Sequence, residues 1–251
     1  MLRLVRRMAD REDIAACLAE LDDERTGLVL EPLRWALTAI DGGRPYESVV
    51  LEQVPTVLPV WQAVGEVLST EGYSVACGVL NAEEFGVPQT RRRAVLIARR
   101  HGTAELPKAT HRPYRKTVAC APGDPSLPAC VTMGEALDRP EPFLVVSDYG
   151  SGGDPRARGR RTSAEPAFTV TGKISRSRVM TGDAVDLPRL SSSEAGRLQS
   201  FPADHPWAGR NIPQQIGNAI PPLLAAHILA AALDQGHSPV DTRAGGVEEV
   251  R

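Results

Sequence analysis

The chain reads as an α/β fold: a layered sheet followed by a smaller, loop-rich domain. Three observations support this. Between Thr26 and Arg100, short aliphatic runs bounded by charge alternate with stretches of helical apolar spacing. From His101 to about Leu187, prolines and glycines become dense, periodicity fades and basic residues cluster. Apolar periodicity then returns and closes in the run LLAAHILAAAL, which reads as a largely buried helix.

The elements follow in order. Asp10–Leu21 has helical spacing, with Ile14, Leu18 and Leu21 apolar among charged residues. A second helix is expected over Thr26–Ile40, its buried stripe supplied by Leu28, Val29, Leu33, Trp35, Ala36, Leu37 and Ile40. Pro32 either falls in its first turn or interrupts it, and Gly42-Gly43 stops it. A compact strand follows at Ser48–Leu51, then a helix over Leu58–Glu71 closed by Gly72, then a strand over Tyr73–Leu80. Ala94–Ala98 is short, aliphatic and flanked by charge, so it reads as a buried strand. In the irregular stretch only Phe143–Val146 and Phe168–Val170 survive as short apolar runs. Ser191–Ser193 offer an N-cap with Glu194 in the first turn of a short helix ending at Pro202. The last helix is expected over Asn218–Leu233, and the polar tail beyond Gly236 is expected to fray. The domains are therefore read as 1–100, 101–187, 188–235 and a tail, 236–251.

Composition sets bounds. The 251 residues are 42% hydrophobic, 24% charged and only 4% aromatic, ordinary for a globular protein with an aliphatic core. A net charge of −2 gives no global basic field, so any nucleic-acid binding must rest on local patches. Cys17, Cys77, Cys120 and Cys130 include no C-x-x-C pair, so neither a zinc site nor a disulfide framework is expected, and a reducing cytoplasm fits. The N-terminus MLRLVRRMADRED lacks the apolar core of a signal peptide. No apolar run reaches the roughly 18 residues of a membrane span.

One stretch carries chemistry on its face. Phe85–Arg100, FGVPQTRRRAVLIARR, joins a proline-braked loop to three arginines at the mouth of a strand, where α/β folds place their sites. Adjacent guanidiniums repel unless something negative is near. The triplet is either a solvated basic loop or a fork for phosphate or base edges. If the segment is extended, Arg91 and Arg93 share one side and Arg92 points away.

Five blocks, in order over about residues 45–233, resemble the cytosine-5 DNA methyltransferase family. Leu51-Glu52-Gln53-Val54 is similar to its Glu-Asn-Val block. Gln89-Thr90-Arg91-Arg92-Arg93 fits its Gln-x-Arg-x-Arg block. The irregular basic region falls where the family keeps its target recognition domain. Arg189 to Pro202 fits the Glu…Arg-Leu-Gln-x-Phe-Pro block, and Gln215-Ile216-Gly217-Asn218-Ala219-Ile220-Pro221-Pro222 fits the last. The resemblance implies an incomplete Rossmann-like methyltransferase sheet with a small target recognition domain. It implies transfer of a methyl group from S-adenosylmethionine to carbon 5 of a cytosine flipped out of double-stranded DNA.

By the same resemblance, Glu52 binds the base at its ring nitrogen 3 and amino group. Arg91 and Arg93 hold its carbonyl oxygen, the catalytic loop and nearby phosphate, with Gln89 bracing the loop. Asn218 and the backbone at Ala219 help enclose the cofactor. Glu194, Arg197 and Gln199 tie the recognition domain to the core. Arg156, Arg158, Arg160, Arg161, Lys173, Arg176 and Arg178 form the candidate DNA-binding face, and no metal site is expected.

The chain also departs from the family. The nucleophilic cysteine should follow a proline, yet each cysteine here follows an alanine, and all four read as structural. The glycine-rich loop for the methyl donor is absent ahead of Glu52. Val145–Gly153 imitates one, but Asp154-Pro155 stands where its helix should start. The chain therefore reads as the C-terminal portion of such an enzyme. It is one part of a split methyltransferase completed by an N-terminal chain, a truncated copy, or a sequence with a misassigned start. The alternative is a catalytically dead DNA-binding or regulatory remnant. An incomplete sheet also leaves an apolar edge that favours aggregation or dimerisation.

Overall fold

In the computed structural model, residues 1–12, 27–116, 123–140, 142–147 and 158–233 are described. The first layer begins with α1 (Leu2–Ala9) and α2 (Glu31–Asp41). β1 (Ser48–Gln53), α3 (Leu58–Thr70), β2 (Ser74–Asn81) and β3 (Arg92–Arg99) follow. The strands lie in the order β1-β3-β2, with β3 antiparallel to both neighbours. β1 and β2 are therefore parallel to each other, linked through α3, and β3 is inserted between them.

β3 is buried on both faces because its apolar run serves two cores. Ala94, Leu96 and Ala98 face α1, α2 and α3. Val95 and Ile97 face the other way, onto the last helix. Each large aliphatic side chain taken fully out of water there contributes roughly 1.5–3 kcal/mol.

Local chemistry sets the helix ends. Pro32 sits in the first turn of α2, where its missing N–H costs nothing, and Gly42 ends the helix. Pro59 plays the same part in α3, and Gly72 turns the chain out at φ 88°.

Two expectations need correction here. Asp10–Glu12 form a turn with Arg11 at φ 59°, not the start of a helix; the rest of the Asp10–Leu21 segment lies outside the described residues. A helix that was not expected lies upstream, because Leu4, Val5 and Met8 form one buried face among the arginines. Leu28 and Trp35, placed in the buried stripe of the second helix, are exposed, whereas Leu33, Ala36 and Leu37 carry the core contact.

The second layer is more ordered than its composition suggests. After the single turn α4 (Met133–Ala136), held by a Thr132–Glu135 capping box, come β4 (Phe143–Val146), β5 (Arg160–Thr162), β6 (Arg178–Thr181) and β7 (Asp186–Leu187). They form an antiparallel sheet in the order β5-β4-β6-β7. Its core gathers Phe143, Val145, Val170, Ile174 and Val179 with Leu190, Ala195, Leu198 and Ile216.

α5 (Ser192–Leu198) and α6 (Ile212–Asn218) thus pack with the second sheet, and only α7 (Pro222–Leu233) returns to the first. The last helix starts at Pro222 rather than at the expected Asn218, which instead closes α6; Pro221 and Pro222 cannot continue the α6 hydrogen-bond ladder. The apolar stretch Ile212–Leu233 is accordingly two short helices, each below the length needed to cross a bilayer.

Candidate active site

The C-terminal end of β1 and the N-terminal end of β3 lie side by side and in antiparallel register. Glu52 pairs with Val95 and Gln53 with Ala94. Because side chains alternate, Glu52 and Arg93 emerge on the same face as diagonal neighbours. Arg93 Nε lies 2.7 Å from Glu52 Oε1. Ser48 Oγ, at the start of β1, donates to Ala232 O near the end of α7. Burial raises the Glu52 pKa above the usual carboxylate range, against the pull of Arg93 and Arg91. Burial likewise lowers that of Arg93, against Glu52.

The arginine triplet separates as strand alternation requires. Arg92 is exposed, Arg93 is partly covered and Arg91 is fully buried. Arg91 is not aimed at a vacant base pocket. It donates through Nη1 to Val170 O at 3.0 Å, and through Nη2 to Gly217 O at 2.7 Å and Ala219 O at 3.0 Å. One guanidinium thereby joins the β3 strand, the recognition region and the end of α6. Burial lowers its pKa to about 10, so it keeps its charge at neutral pH. Gln89 extends the brace: its amide donates to Leu198 O and Gln199 Oε1, and its oxygen accepts from Val170 N. Gln199 donates to Ile216 O at 2.5 Å. Glu194 pairs with Arg139 and Arg197 with Asp138, so both tie α5 to the segment after α4.

The recognition region reaches the core through backbone as well. A Cβ on Gly217 would lie 2.4 Å from Gly172 N and 2.5 Å from Thr171 C. Only a glycine lets α6 meet that main chain, and backbone atoms cannot rotate aside. Gly217→Ala is expected to cost about 3 kcal/mol, the upper end of overpacking penalties. In a domain of this size that is a fall of roughly 6–12 °C in melting midpoint; an unchanged midpoint would show that the contact yields. Sequence reading passed over this glycine.

Asn218 is the last residue of α6, exposed and accepting from Gln214 Nε2, rather than the start of the final helix. The Ala219 carbonyl is held by Arg91. Among the basic residues, Arg160 and Arg178 flank Val146 in one cross-strand row and are exposed, but Arg178 is paired with Asp186 at 2.8 Å. Lys173 and Arg176 are exposed around a 3-10 turn, and Arg158 is half-buried. Arg156 lies outside the described residues.

Arg161 is a correction. It shares a row with the buried Val145 and Val179, facing inward. Its guanidinium sits 4.7 Å from the Tyr114 ring and 4.6 Å from the Phe168 ring, and donates to Pro166 O and Ala167 O. These contacts occupy its guanidinium. Alternation along β5 already separated Arg160 from Arg161.

Cys77 and Cys130 are half-buried with their pKa raised by burial, the opposite of an activated nucleophile. Cys17 and Cys120 lie outside the described residues. No acidic, histidine or cysteine group suited to a metal occurs among the described residues. Phe143–Val146 is a central strand of an antiparallel sheet; residues 148–153 of the glycine-rich stretch lie outside the described residues.

The sequence profile of the C-5 cytosine-specific DNA methylase family matches residues 49–124. The Type II methyltransferase M1.HphI of Haemophilus parahaemolyticus is 36% identical over 185 residues, 64% of this chain and 48% of that protein. The Type II methyltransferase M.HgiDI of Herpetosiphon aurantiacus is 34% identical over 206 residues, 74% of this chain and 61% of that protein. The chain therefore spans 48% to 61% of the length of these relatives. Among solved structures, the S. pombe Dnmt2 methyltransferase aligns with a TM-score of 0.54 at 14% identity, covering 87% of this chain and 73% of that one. The Entamoeba histolytica methyltransferase EhMeth gives 0.53 at 13%, covering 88% and 72%. At such identities the likeness concerns the fold, an incomplete Rossmann-like α/β arrangement.

Proposed function

The chain belongs to the cytosine-5 DNA methyltransferase family, and from that premise we propose that it is the base-holding and recognition part of an enzyme that methylates cytosine carbon 5 in duplex DNA, in the cytoplasm. The observation that carries this reading is the Glu52–Arg93 pair at adjoining strand ends, on a frame that Arg91 locks to the recognition region and to the Gly217–Ala219 turn. A fork meant only for binding phosphate has no use for a shielded carboxyl group.

The chemistry needs that group. Attack of a thiolate on ring carbon 6 pushes an electron pair towards ring nitrogen 3 and the carbonyl oxygen, leaving carbon 5 nucleophilic. A carboxyl whose pKa is raised by burial takes up and shares a proton with nitrogen 3 more readily than a solvated one, while its other oxygen accepts from the amino group. Arg93 is placed to hold the carbonyl oxygen and to keep Glu52 oriented. S-adenosylmethionine would supply the methyl group. The thiolate and most of the donor's site would come from polypeptide outside these 251 residues, with Asn218 at the rim. The exposed Arg160, Lys173 and Arg176 are the candidates for DNA contact, with Arg178 available once Asp186 releases it.

The test is incorporation of labelled methyl from S-adenosylmethionine into double-stranded DNA. The 251-residue chain alone is expected to give none. The chain extended by its upstream coding sequence is expected to methylate. Transfer by the chain alone would overturn the division of labour. An extended protein that binds DNA without methylating it would favour the non-catalytic remnant.

A further inference from the structure

The two faces of β5 carry different residues. Arg160 and Thr162 are exposed on one; Arg161 points from the other into the row it shares with Val145 and Val179. An aliphatic side chain would fill that row without the desolvation that pulls the Arg161 pKa down. Arg161 Nε is buried and has no hydrogen-bond partner among the described residues. Filling the row therefore does not account for a guanidinium here; its grip does. Between the Tyr114 and Phe168 rings, Nη1 donates to Pro166 O at 2.7 Å and to Ala167 O at 2.9 Å. Ala167 is where the Gln-x-Arg-x-Arg block is seated. Its N–H donates to Pro88 O at 2.9 Å, its carbonyl accepts from Thr90 N at 2.9 Å, and Gln89 and Ala167 form a parallel bridge. Thr169 Oγ1 closes the pairing by donating to Thr90 O at 2.6 Å. Arg161 and Thr90 thus share one carbonyl. Glu83, 7% exposed, holds the next residue: its Oε2 accepts from Arg91 N at 3.3 Å. Arg161 faces Glu83 as well, with Tyr114, Glu165 and Cys130 the other titratable groups around it.

We infer that Arg161 is a positioning residue of the base-holding site: it fixes the Ala167 carbonyl, and through it the Thr90–Arg91 backbone, at the place from which Arg93 meets Glu52. This deepens the methyltransferase reading above and rests on it. Arg93 lies two residues beyond Arg91, on the strand that this seat leads into, so a shift of the Thr90–Arg91 backbone moves its guanidinium relative to the Glu52 carboxyl. A displacement of about 1 Å at a reacting group costs on the order of 10²-fold in rate. The neighbouring Arg160 gives the arrangement a use. It is exposed on the opposite face of the same strand, as a candidate for phosphate contact. A phosphate held by Arg160 is then tied to the base-holding pair through one short strand and one shared carbonyl. Arg161 acts on neither ligand directly; it sets where the two are held relative to each other.

The test compares the wild-type protein with Arg161→Leu, which fills the row as Val145 and Val179 do but cannot grip Ala167 O. In the full 251-residue chain, amide exchange at Thr90 and Arg91 is expected to rise at least about tenfold, while exchange in β2 changes by less than about threefold. Arg161→Lys keeps the charge towards Glu83 but replaces the planar fork with a point donor, so its exchange is expected to fall between the two. In the chain extended by its upstream coding sequence, Arg161→Leu is expected to lower kcat for methyl transfer at least about tenfold, with the KM for duplex DNA changed less than about threefold. Unchanged exchange at Thr90 and Arg91 in folded Arg161→Leu protein, or an equal rise in β2, would overturn the proposal. A raised KM with kcat intact would also overturn it, making Arg161 a DNA contact. If Arg161→Leu does not fold, Arg161→Lys decides: exchange at Thr90 and Arg91 raised above that of β2 supports the positioning role, and wild-type exchange overturns it. An extended wild-type protein that does not methylate would remove the catalytic reading, and the exchange measurements would still decide whether Arg161 positions the Thr90–Arg91 backbone.

Discussion

Arg91→Ala is expected to be among the most destabilising single substitutions in the chain, at roughly 3–5 kcal/mol. Three main-chain carbonyls, from Val170, Gly217 and Ala219, would lose a charged donor at once in a buried setting. In a domain of this size that corresponds to a drop of roughly 6–20 °C in melting midpoint. Arg91→Lys separates charge from shape. An ammonium keeps the positive charge but cannot span three acceptors placed for a planar fork, so most of the loss is expected to remain. The same substitution should loosen the recognition region selectively, because Arg91 bonds Val170 directly. Hydrogen exchange around residues 167–172 is expected to rise by more than exchange in β2. A variant with wild-type stability would show that the guanidinium binds a ligand and does not hold the frame.

That outcome bears on how far residue type predicts role. The Gln-x-Arg-x-Arg block was legible as a site because three arginines before a buried strand need an explanation. Strand alternation also separated Arg92 from its neighbours. It could not say which of the two inward arginines would face the carboxylate and which would be consumed by carbonyls. That depends on Val170 and Gly217, 79 and 126 residues away in sequence. The recognition region fails in the same way. Its short strands are two to four residues long, so no period shows above the prolines and glycines, yet four of them pair into a sheet. Arg161 read as one more basic residue because its aromatic partners, Tyr114 and Phe168, lie on opposite sides of it in the chain. The first layer was legible almost throughout, since its strands and its helices α2 and α3 are long enough for periodicity to work. The exceptions, Leu28 and Trp35, have apolar spacing that suits burial, yet both are exposed.

Glu52→Gln sets function against stability with opposite expected signs. In the assembled, active enzyme the substitution is expected to lower methyl transfer by about 10²-fold or more, the usual loss when a positioned acid–base group is removed. An amide still accepts a hydrogen bond, but it cannot share a titrating proton with ring nitrogen 3. Stability should move the other way or not at all. The folded pKa of Glu52 is raised by burial, so its contribution to folding is fully present below the unfolded carboxyl pKa and is lost as pH rises through the folded value. At pH 4 the wild-type and Gln chains should melt alike. At pH 8, where the wild-type carboxylate is ionised against its surroundings, the Gln chain should melt at the same temperature or a few degrees higher. Equal activity in the Gln enzyme would remove Glu52 from the base-binding role. A Gln chain clearly less stable at pH 8 would show that the pair with Arg93 outweighs the burial of both charges, making Glu52 a structural anchor.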